Sequence, residues 1–345
     1  MIKFPLTKLK EKFAKETFSV GLDIGASAVK LVKLRFFKDQ VQLSGFELAE
    51  TQVDLTEILK NISRAQNINK VNISVCGPST IIRYVSFPRM SEIDLKKSLQ
   101  FEAQRHIPFP LNELILDAYT LKENFSDNKM LLLLAAVKKE FLGQRLKLVE
   151  DAGFKPNLLD IDAIALINAF NFNYPQEAAS DNPKSRTVAL LNIGASLSNL
   201  SVLEGEVPCL SRDIQIAGAK FTQKLIDVFG LDSKSAESLK LKPDQERAEK
   251  VKGAIESVLT NLAAEIRVSF DFYESQSSSA VSKIFLTGGG SLFPGLKDML
   301  SNLLGIEVEY WDPFSRITIA GNLDSEKVKA QAAQLAVAIG LALRQ

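Results

Sequence analysis

LDIGAS at residues 22–27 and LNIGAS at residues 191–196 are nearly one phrase, written once in each half of the chain. Each copy ends one apolar run and leads into the next. The first half reads FSVGLDIGA, AVKLVKLRFF, VQLSGFELAE, and the second reads TVALLNIGAS, LSNLSVLEGE, VPCLSRDIQI. Short runs rich in Val, Leu and Ile, broken by Gly-Ala-Ser or Lys-Asp clusters, predict strands joined by tight bends. A helix follows in both halves. In the first it is DLTEILKNISRAQ, opened by Asp54 as N-cap with Glu57 at the capping-box position, and the strand KVNISVCG comes next. In the second it runs from about Ala217 to Phe229. A chain that writes strand-strand-strand-helix twice is constrained to two lobes of one α/β design. Its 345 residues exceed a single core, at about 150 residues per domain.

The intervening stretches fill in the plan. Ile81 to Phe87 reads as a strand ended by Pro88, followed by the helix SEIDLKKSLQFEAQRHI, the strands ELILDAYTLKE and KMLLLLAAV, and the helix KKEFLGQRLKLVEDAG stopping at Gly153. With strands and helices of its own, this block reads as a subdomain inserted into the first lobe. After DIDAIALINAF, a polar stretch with Pro175, Asn182 and Pro183 reads as a linker. Residues 232–274 read as all-helical, KIFLTGGGSLFPGLKDMLSNLLG as strand, glycine turn and helix, and KVKAQAAQLAVAIGLALRQ as a buried closing helix.

Composition excludes several classes. With 42 basic and 41 acidic side chains there is no net field to hold a polyanion, so no nucleic-acid partner is expected. His106 is the only histidine, so a histidine metal site or a Ser/His triad lacks parts, and a core or loop role is expected. Cys76 and Cys209 stand alone in strand-like runs, which predicts buried free thiols in a reducing compartment. The longest apolar run, Met130 to Val137, is far too short to cross a bilayer, and the N-terminus lacks the apolar region of a signal peptide. The expectation is a cytoplasmic chain. Residues 1–17 place Ile2, Leu6, Leu9 and Phe13 at helical spacing among lysines, with Pro5 in the first turn. This basic amphipathic arm fits either an anionic membrane surface or a docked N-terminal segment.

A strand that ends in Asp-Ile-Gly-Ala-Ser and turns straight back presents backbone N–H groups at the bend, a nest suited to phosphate oxygens. One such bend is weak support, since hairpins use Gly and Ser for turn reasons alone. Two bends in duplicated lobes allow a polyphosphate to be clamped between them. A third glycine turn, Gly288-Gly289-Gly290, between a strand and a helix brings the expectation to a nucleotide.

LDIGAS, LNIGAS and FLTGGGSLFPGL resemble the phosphate-1, phosphate-2 and adenosine motifs of the actin, Hsp70 and sugar-kinase superfamily. Within it, FEAQRHIPFPLNELILDAYTL, SRDIQIAGAKFTQKL and the closing AIGLALR are similar to the PilM family of type IV pilus assembly proteins, from about Phe18 onward. The resemblance implies an actin-like (ribonuclease H-like) two-lobed ATPase fold, with duplicated β-β-β-α-β units and an FtsA-type inserted 1C subdomain. The divisions it implies are an arm at 1–17; subdomain 1A at 18–83 with 155–180 and 318–345; 1C at 84–154; 2A at 184–230 with 281–317; and a helical 2B at 231–280.

It also implies roles. Asp23 matches the carboxylate that organises hydrated Mg²⁺, and Gly25, Ala26 and Ser27 match the first phosphate loop. Gly194, Ala195 and Ser196 match the second loop, and Gly288, Gly289 and Gly290 the adenosine turn. Glu265 and Ser269 fall on the helix whose face lines the nucleoside, and Asp162 falls at the position that orients attacking water. Asn192 departs from the pattern, which has a second aspartate holding the metal through water. An amide keeps the shape and an acceptor oxygen but removes a charge, so weaker Mg²⁺ binding and weaker polarisation of water are expected. A turn-capping role for Asn192 stands beside this reading.

The implied cofactors are ATP or ADP with Mg²⁺, held with weak or absent hydrolysis. The implied partner is the N-terminal cytoplasmic peptide of the inner-membrane protein PilN, in a groove between 1A and 1C, with other pilus components and self-association also compatible. Leu95, Leu99 and Phe101, followed by Ile107-Pro108-Phe109-Pro110, supply apolar residues there, and plain internal packing is the alternative for each. The protein would be cytoplasmic and peripheral to the inner membrane through that partner. Two other classes remain. An FtsA-like polymerising recruiter would carry a basic amphipathic membrane helix beyond the core, whereas this chain closes on LALRQ. A sugar kinase or active ATPase would need a base near the γ-phosphate, for which Asp162 is the candidate, and an acceptor pocket with no visible signature.

Overall fold

The computed structural model describes residues 16–51, 54–126, 128–175, 187–277 and 279–344. Nearly all of the N-terminal arm and the linker at 176–186 lie outside the described residues. In chain order the elements are β1 (Thr17–Ile24), β2 (Ala28–Phe37), β3 (Gln40–Glu50), α1 (Leu55–Gln66), β4 (Lys70–Val75), β5 (Thr80–Pro88), α2 (Glu92–Ala103), β6 (Leu114–Ser126), β7 (Lys129–Lys138), α3 (Lys139–Asp151), β8 (Lys155–Ile161) and α4 (Asp162–Asn173). There follow β9 (Thr187–Ile193), β10 (Ser198–Glu204), β11 (Val207–Ile214), α5 (Gly218–Phe229), α6 (Ser233–Leu241), α7 (Ala248–Gln276), β12 (Lys283–Thr287), α8 (Leu296–Leu304), β13 (Glu307–Tyr310), β14 (Thr318–Ile319) and α9 (Ser325–Ala342).

The duplication is topological. The first sheet is ordered β14-β3-β2-β1-β4-β8 and the second β11-β10-β9-β12-β13. In each, an antiparallel meander of three strands is extended by two parallel strands on the side of the first. Strands β8, β13 and β14 have no counterpart in the sequence reading. Pro156 and Asn157 mask the alternation of β8, and β13 and β14 span only 4 and 2 residues. These are additions that a neighbouring strand imposes on a short run.

Local signals place the helices. Asp54 accepts a hydrogen bond from the Thr56 N–H at 2.8 Å and starts α1, which turns Ile58, Leu59 and Ile62 inward and ends at Asn67 in the left-handed region. Helix α2 stops at Ala103, four residues short of the expected Ile107; the chain turns there, and Ile107 still drops into the inserted core. Helix α9 begins at the Asp324 cap and is buried continuously from Leu335 to Ala342, because it is wedged between α4 and strands β1 and β2. The crossing with α4 is so tight that a Cβ on Gly340 would sit 1.7 Å from the Ala165 carbonyl oxygen.

The inserted unit is a three-stranded sheet, β5-β7-β6, covered on one face by α2. Its central strand explains the longest apolar run in the chain. Leu132, Leu134 and Ala136 face the inserted core with Leu95, Ala103 and Ile107, while Leu133, Ala135 and Val137 enter the core shared by both lobes. Helix α3, grouped with the inserted block on sequence grounds, instead sends Val149 into the first-lobe core, where Ala152 and Phe154 join it. The shared core also takes α4, α9 and residues Val188, Leu190 and Phe285 of the second lobe, so the lobes meet through packed apolar surface. No helix among the described residues is long and apolar enough to cross a membrane.

Candidate functional site

The two phosphate-type bends are built alike. The Gly25 N–H donates to the Ala28 carbonyl at 3.1 Å, and the Gly194 N–H to that of Leu197 at 2.9 Å. Each bend therefore closes the same short hairpin, one on β1-β2 and one on β9-β10. The third turn meets the second bend directly. Gly288 has φ +94, and a Cβ there would lie 2.4 Å from both Asn192 Oδ1 and the Ile193 carbonyl oxygen, so only glycine fits. A Cβ on Gly218, at the start of α5, would come within 3.1 Å of the Gly194 carbonyl oxygen, 3.3 Å of Gly290 Cα and 3.8 Å of Ala195 Cα. Bend, helix start and glycine turn thus converge with bare backbone exposed to one another. Helix α5 is tied to the bend through Gly218 N–H to Gly194 O (3.0 Å) and Ala219 N–H to Ala195 O (2.8 Å).

The carboxylates gather at the seam. Asp23 pairs in register with Lys30, whose Nζ lies 3.0 Å from Asp23 Oδ2 with both side chains largely buried. Asp162, first residue of α4, accepts hydrogen bonds from Ser74 and Cys76 at the end of β4. Burial foremost, then the charges of Asp23 and Asp213, raise its proton affinity to about 6 against these two donors. Burial and the Asp162 charge likewise push the Cys76 thiol far up, which makes it a donor rather than a nucleophile. Cys76 and Cys209 are both free and half-buried. No group of three His, Cys, Asp or Glu among the described residues is close enough to hold a bare metal ion.

Asn192 belongs to a row across the second sheet. In register, Thr287, Asn192, Asn199 and Asp213 lie side by side on β12, β9, β10 and β11. Asn192 Nδ2 donates to Asn199 Oδ1 at 3.0 Å, and Asn199 Nδ2 to Asp213 Oδ1 at 2.6 Å. Asp213 Oδ2 accepts the Gly77 N–H of the first lobe at 2.8 Å, so the row crosses from one lobe to the other.

Glu265 and Ser269 are not on this row. They clasp Arg212, with Nη2 to Glu265 Oε2 at 2.7 Å and Nη1 to Ser269 Oγ at 3.0 Å. Arg212 shares its register with Leu200 and Leu191, which face α7, so this cluster occupies the opposite face of the sheet from Asn192. The polar cluster next to the glycine junction is a different one. Thr222 Oγ1 bonds the Gly218 carbonyl at 3.1 Å and Glu237 Oε2 at 2.6 Å, and Lys240 Nζ reaches Thr222 at 3.0 Å and Glu237 at 2.7 Å. Lys240 is 3% exposed. Sequence reasoning missed Gly218, Thr222, Glu237 and Lys240, because nothing local in GAKFTQKL or SKSAESLKLK marks which face of a helix meets a distant bend. It missed Lys30 as well, although the hairpin register from Gly25 places Lys30 opposite Asp23.

In the inserted unit, Leu95 and Ile107 are core, Leu99 is half-buried, and Phe101 at 66% and Ile93 at 68% are exposed on the same helix. His106 sits in the exposed turn after α2, its ring 6.2 Å from Phe87, a loop histidine as expected.

Two duplicated sheets, a shared helical core, a matched glycine bend in each lobe and a third glycine turn packed on the second bend define a two-lobed protein of the actin-like fold. The sequence profile of "Type IV pilus assembly protein PilM" matches residues 21–345, and the chain belongs to that family. Among solved structures, the PilM-PilN type IV pilus biogenesis complex matches with TM-score 0.82 and 28% identity, over 94% of this chain and 98% of that one. The ethanolamine utilization protein EutJ from Carboxydothermus hydrogenoformans matches in fold alone, with TM-score 0.55 and 14% identity over 95% of this chain and 90% of its own.

Proposed function

We propose that the protein is an ATP- or ADP-binding scaffold of type IV pilus assembly that captures the N-terminal cytoplasmic peptide of a PilN-type inner-membrane partner. The observation that carries the partner is the match, at 28% identity over 94% of the chain, to the PilM of a PilM-PilN complex. The inserted unit suits such a peptide. Its sheet ends on strand β6, an edge to which a peptide would add a strand, and Ile93, Phe101 and Ile115 offer exposed apolar side chains. The groove between this unit and subdomain 1A is the site we assign to the peptide, which would hold the protein at the cytoplasmic face of the inner membrane.

The nucleotide reading is supported by the two matched hairpin bends at Gly25 and Gly194, suited to phosphate oxygens, and by the close backbone packing at Gly194, Gly218, Gly288 and Gly290 that sets the second bend against the start of α5 and the third glycine turn. The bends Gly25-Ala26-Ser27 and Gly194-Ala195-Ser196 would hold the phosphates with Lys30. Gly288, Gly289 and Gly290, with Glu237 and Lys240, would border the nucleoside. Glu265 and Ser269, on the far face of the sheet, are better read as holding α7 to β11 through Arg212. Hydrated Mg²⁺, when bound, would neutralise phosphate charge beside Asp23 and Asn192. Asp162 would orient a water, but two of its acceptor sites are taken by Ser74 and Cys76, and one carboxylate of the usual pair is an amide. This favours holding the nucleotide over turning it over.

Calorimetric titration of a synthetic PilN-type N-terminal peptide, with and without Mg-ATP, tests the reading. Binding in both conditions with an affinity that changes on adding nucleotide is the expected result. No heat of binding in either would overturn the partner assignment.

A further inference from the structure

The row Asn192, Asn199, Asp213 contains two amides and one carboxylate, and the carboxylate dictates which way both amides point. An ionised carboxylate only accepts hydrogen bonds. Asn199 must therefore turn its NH₂ toward Asp213, at 2.6 Å, which leaves its oxygen facing Asn192. Asn192 must then turn its own NH₂ toward Asn199, at 3.0 Å, and present its oxygen on the other side. The other Asp213 oxygen accepts the Gly77 N–H at 2.8 Å, so the carboxylate's acceptor role is fixed from both lobes. The Asn192 oxygen emerges at the Gly288 turn, where the Ile193 carbonyl oxygen converges on the same space.

We propose that Asp213, acting through Asn199, is a positioning residue that holds Asn192 with its carbonyl oxygen toward the glycine turn, relocating to β11 the charge that the second phosphate bend lacks. This rests on the reading of the cleft as a nucleotide site. An amide free to rotate would present NH₂ to a metal-bound water about as readily as oxygen; the relay removes that choice. The acceptor survives at position 192 and the formal charge stands two strands away, next to the interlobe bond at Gly77.

The relay predicts a charge-swap rescue. In Asn192→Asp, carboxylates stand at both ends of Asn199, whose single NH₂ side cannot face both, and the ligand-free protein melts several degrees lower. In Asp213→Asn, the new amide keeps its oxygen on the Gly77 N–H and turns its NH₂ to Asn199, so Asn199 and Asn192 both reverse and every bond is remade; melting changes little, but Asn192 now points NH₂ at the turn. In the double variant Asn192→Asp/Asp213→Asn, Asn199 alone reverses, and melting returns close to that of the natural protein. Titration of the full chain with a fluorescent ADP analogue, in Mg²⁺ and in EDTA, supplies the second readout. Asp213→Asn loses about 10- to 100-fold of the Mg²⁺-dependent affinity, with affinity in EDTA unchanged, and the double variant retains it.

A double variant that melts as low as Asn192→Asp overturns the relay. An Asp213→Asn protein with full Mg²⁺-dependent affinity overturns the positioning role. If the natural protein binds no nucleotide in either condition, the nucleotide reading and the cation role fall, while the melting cycle still decides the relay by itself.

Discussion

The phenol oxygen of Tyr84, on the inserted sheet, lies 2.8 Å from the hydroxyl of Ser211 on the second lobe, and Ser211 is itself 2.9 Å from Ser201. The inserted unit is joined covalently to the first lobe, so this hydrogen bond makes it a bridge between the two. Burial raises the Tyr84 proton affinity and keeps the phenol protonated. Tyr84→Phe leaves the half-buried Ser211 short of a partner and should cost about 1–2 kcal/mol in denaturant unfolding, with faster hydrogen exchange in β5 and β11. The contact of Lys122 with Glu204, at 3.7 Å, is a long ion pair with both side chains about one-third exposed (34% and 32%), and Lys122→Met should cost under about 1 kcal/mol. Equal effects would show that the phenol does not bridge the lobes.

Asp162 gives the cleft a pH dependence with a defined sign. Its folded-state proton affinity stands at about 6 against an ordinary 3.8, so between these values the folded chain is the better proton acceptor. The stability from this group is complete below about pH 4 and is lost as pH rises through about 6. Asp162→Asn removes the loss and should stabilise the protein by about 1–3 kcal/mol at pH 7.5, with little change at pH 4. Unfolding midpoints at the two pH values measure this, and parallel shifts at both would assign the effect elsewhere.

Arg344 and Asp160 form a fully buried ion pair at 2.7 Å, and Asn72 and Ser19 bind the Arg344 carbonyl. Arg344→Ala leaves Asp160 buried without its charge partner and should cost about 3–5 kcal/mol. Asp160→Leu/Arg344→Met, which removes both charges, should cost clearly less. A double variant as unstable as the single one would mean that packing volume, not charge, sets the value of the site.

The α9 crossing is a steric prediction. Gly340→Ala forces a methyl group into the Ala165 carbonyl and should cost about 3 kcal/mol or more, whereas Gly143→Ala, in α3 with nothing within 4 Å of its Cβ, should gain up to about 1 kcal/mol. Thermal melting of the two proteins gives the comparison.

Lys240→Met keeps the apolar stem but removes the ammonium from Thr222 and Glu237. Because the Glu237 side chain is 48% exposed and can be solvated, folding should lose only about 1 kcal/mol, while nucleotide affinity should fall by about tenfold. Unchanged affinity would remove Lys240 from the nucleoside end of the cleft.

The repeated phrase was legible without a structure because a bend between two strands is local: Gly25 and Gly194 close their hairpins within four residues, and the strands around them are short apolar runs bounded by turn residues. The same holds for the Asp54 cap and for the buried face of α9. Position 192 was legible as a departure from the motif, but its consequence was not. Only the tertiary structure decided that Asn192 is oriented by Asp213, on a strand that returns after β10, and that the row ends on Gly77 of the other lobe. It also decided that Glu265 and Ser269 face away from the cleft, while Glu237 and Lys240 stand beside it. Spacing along a helix fixes which residues share a face, whereas the partner of that face depends on how distant sheets pack, and no local pattern encodes that choice.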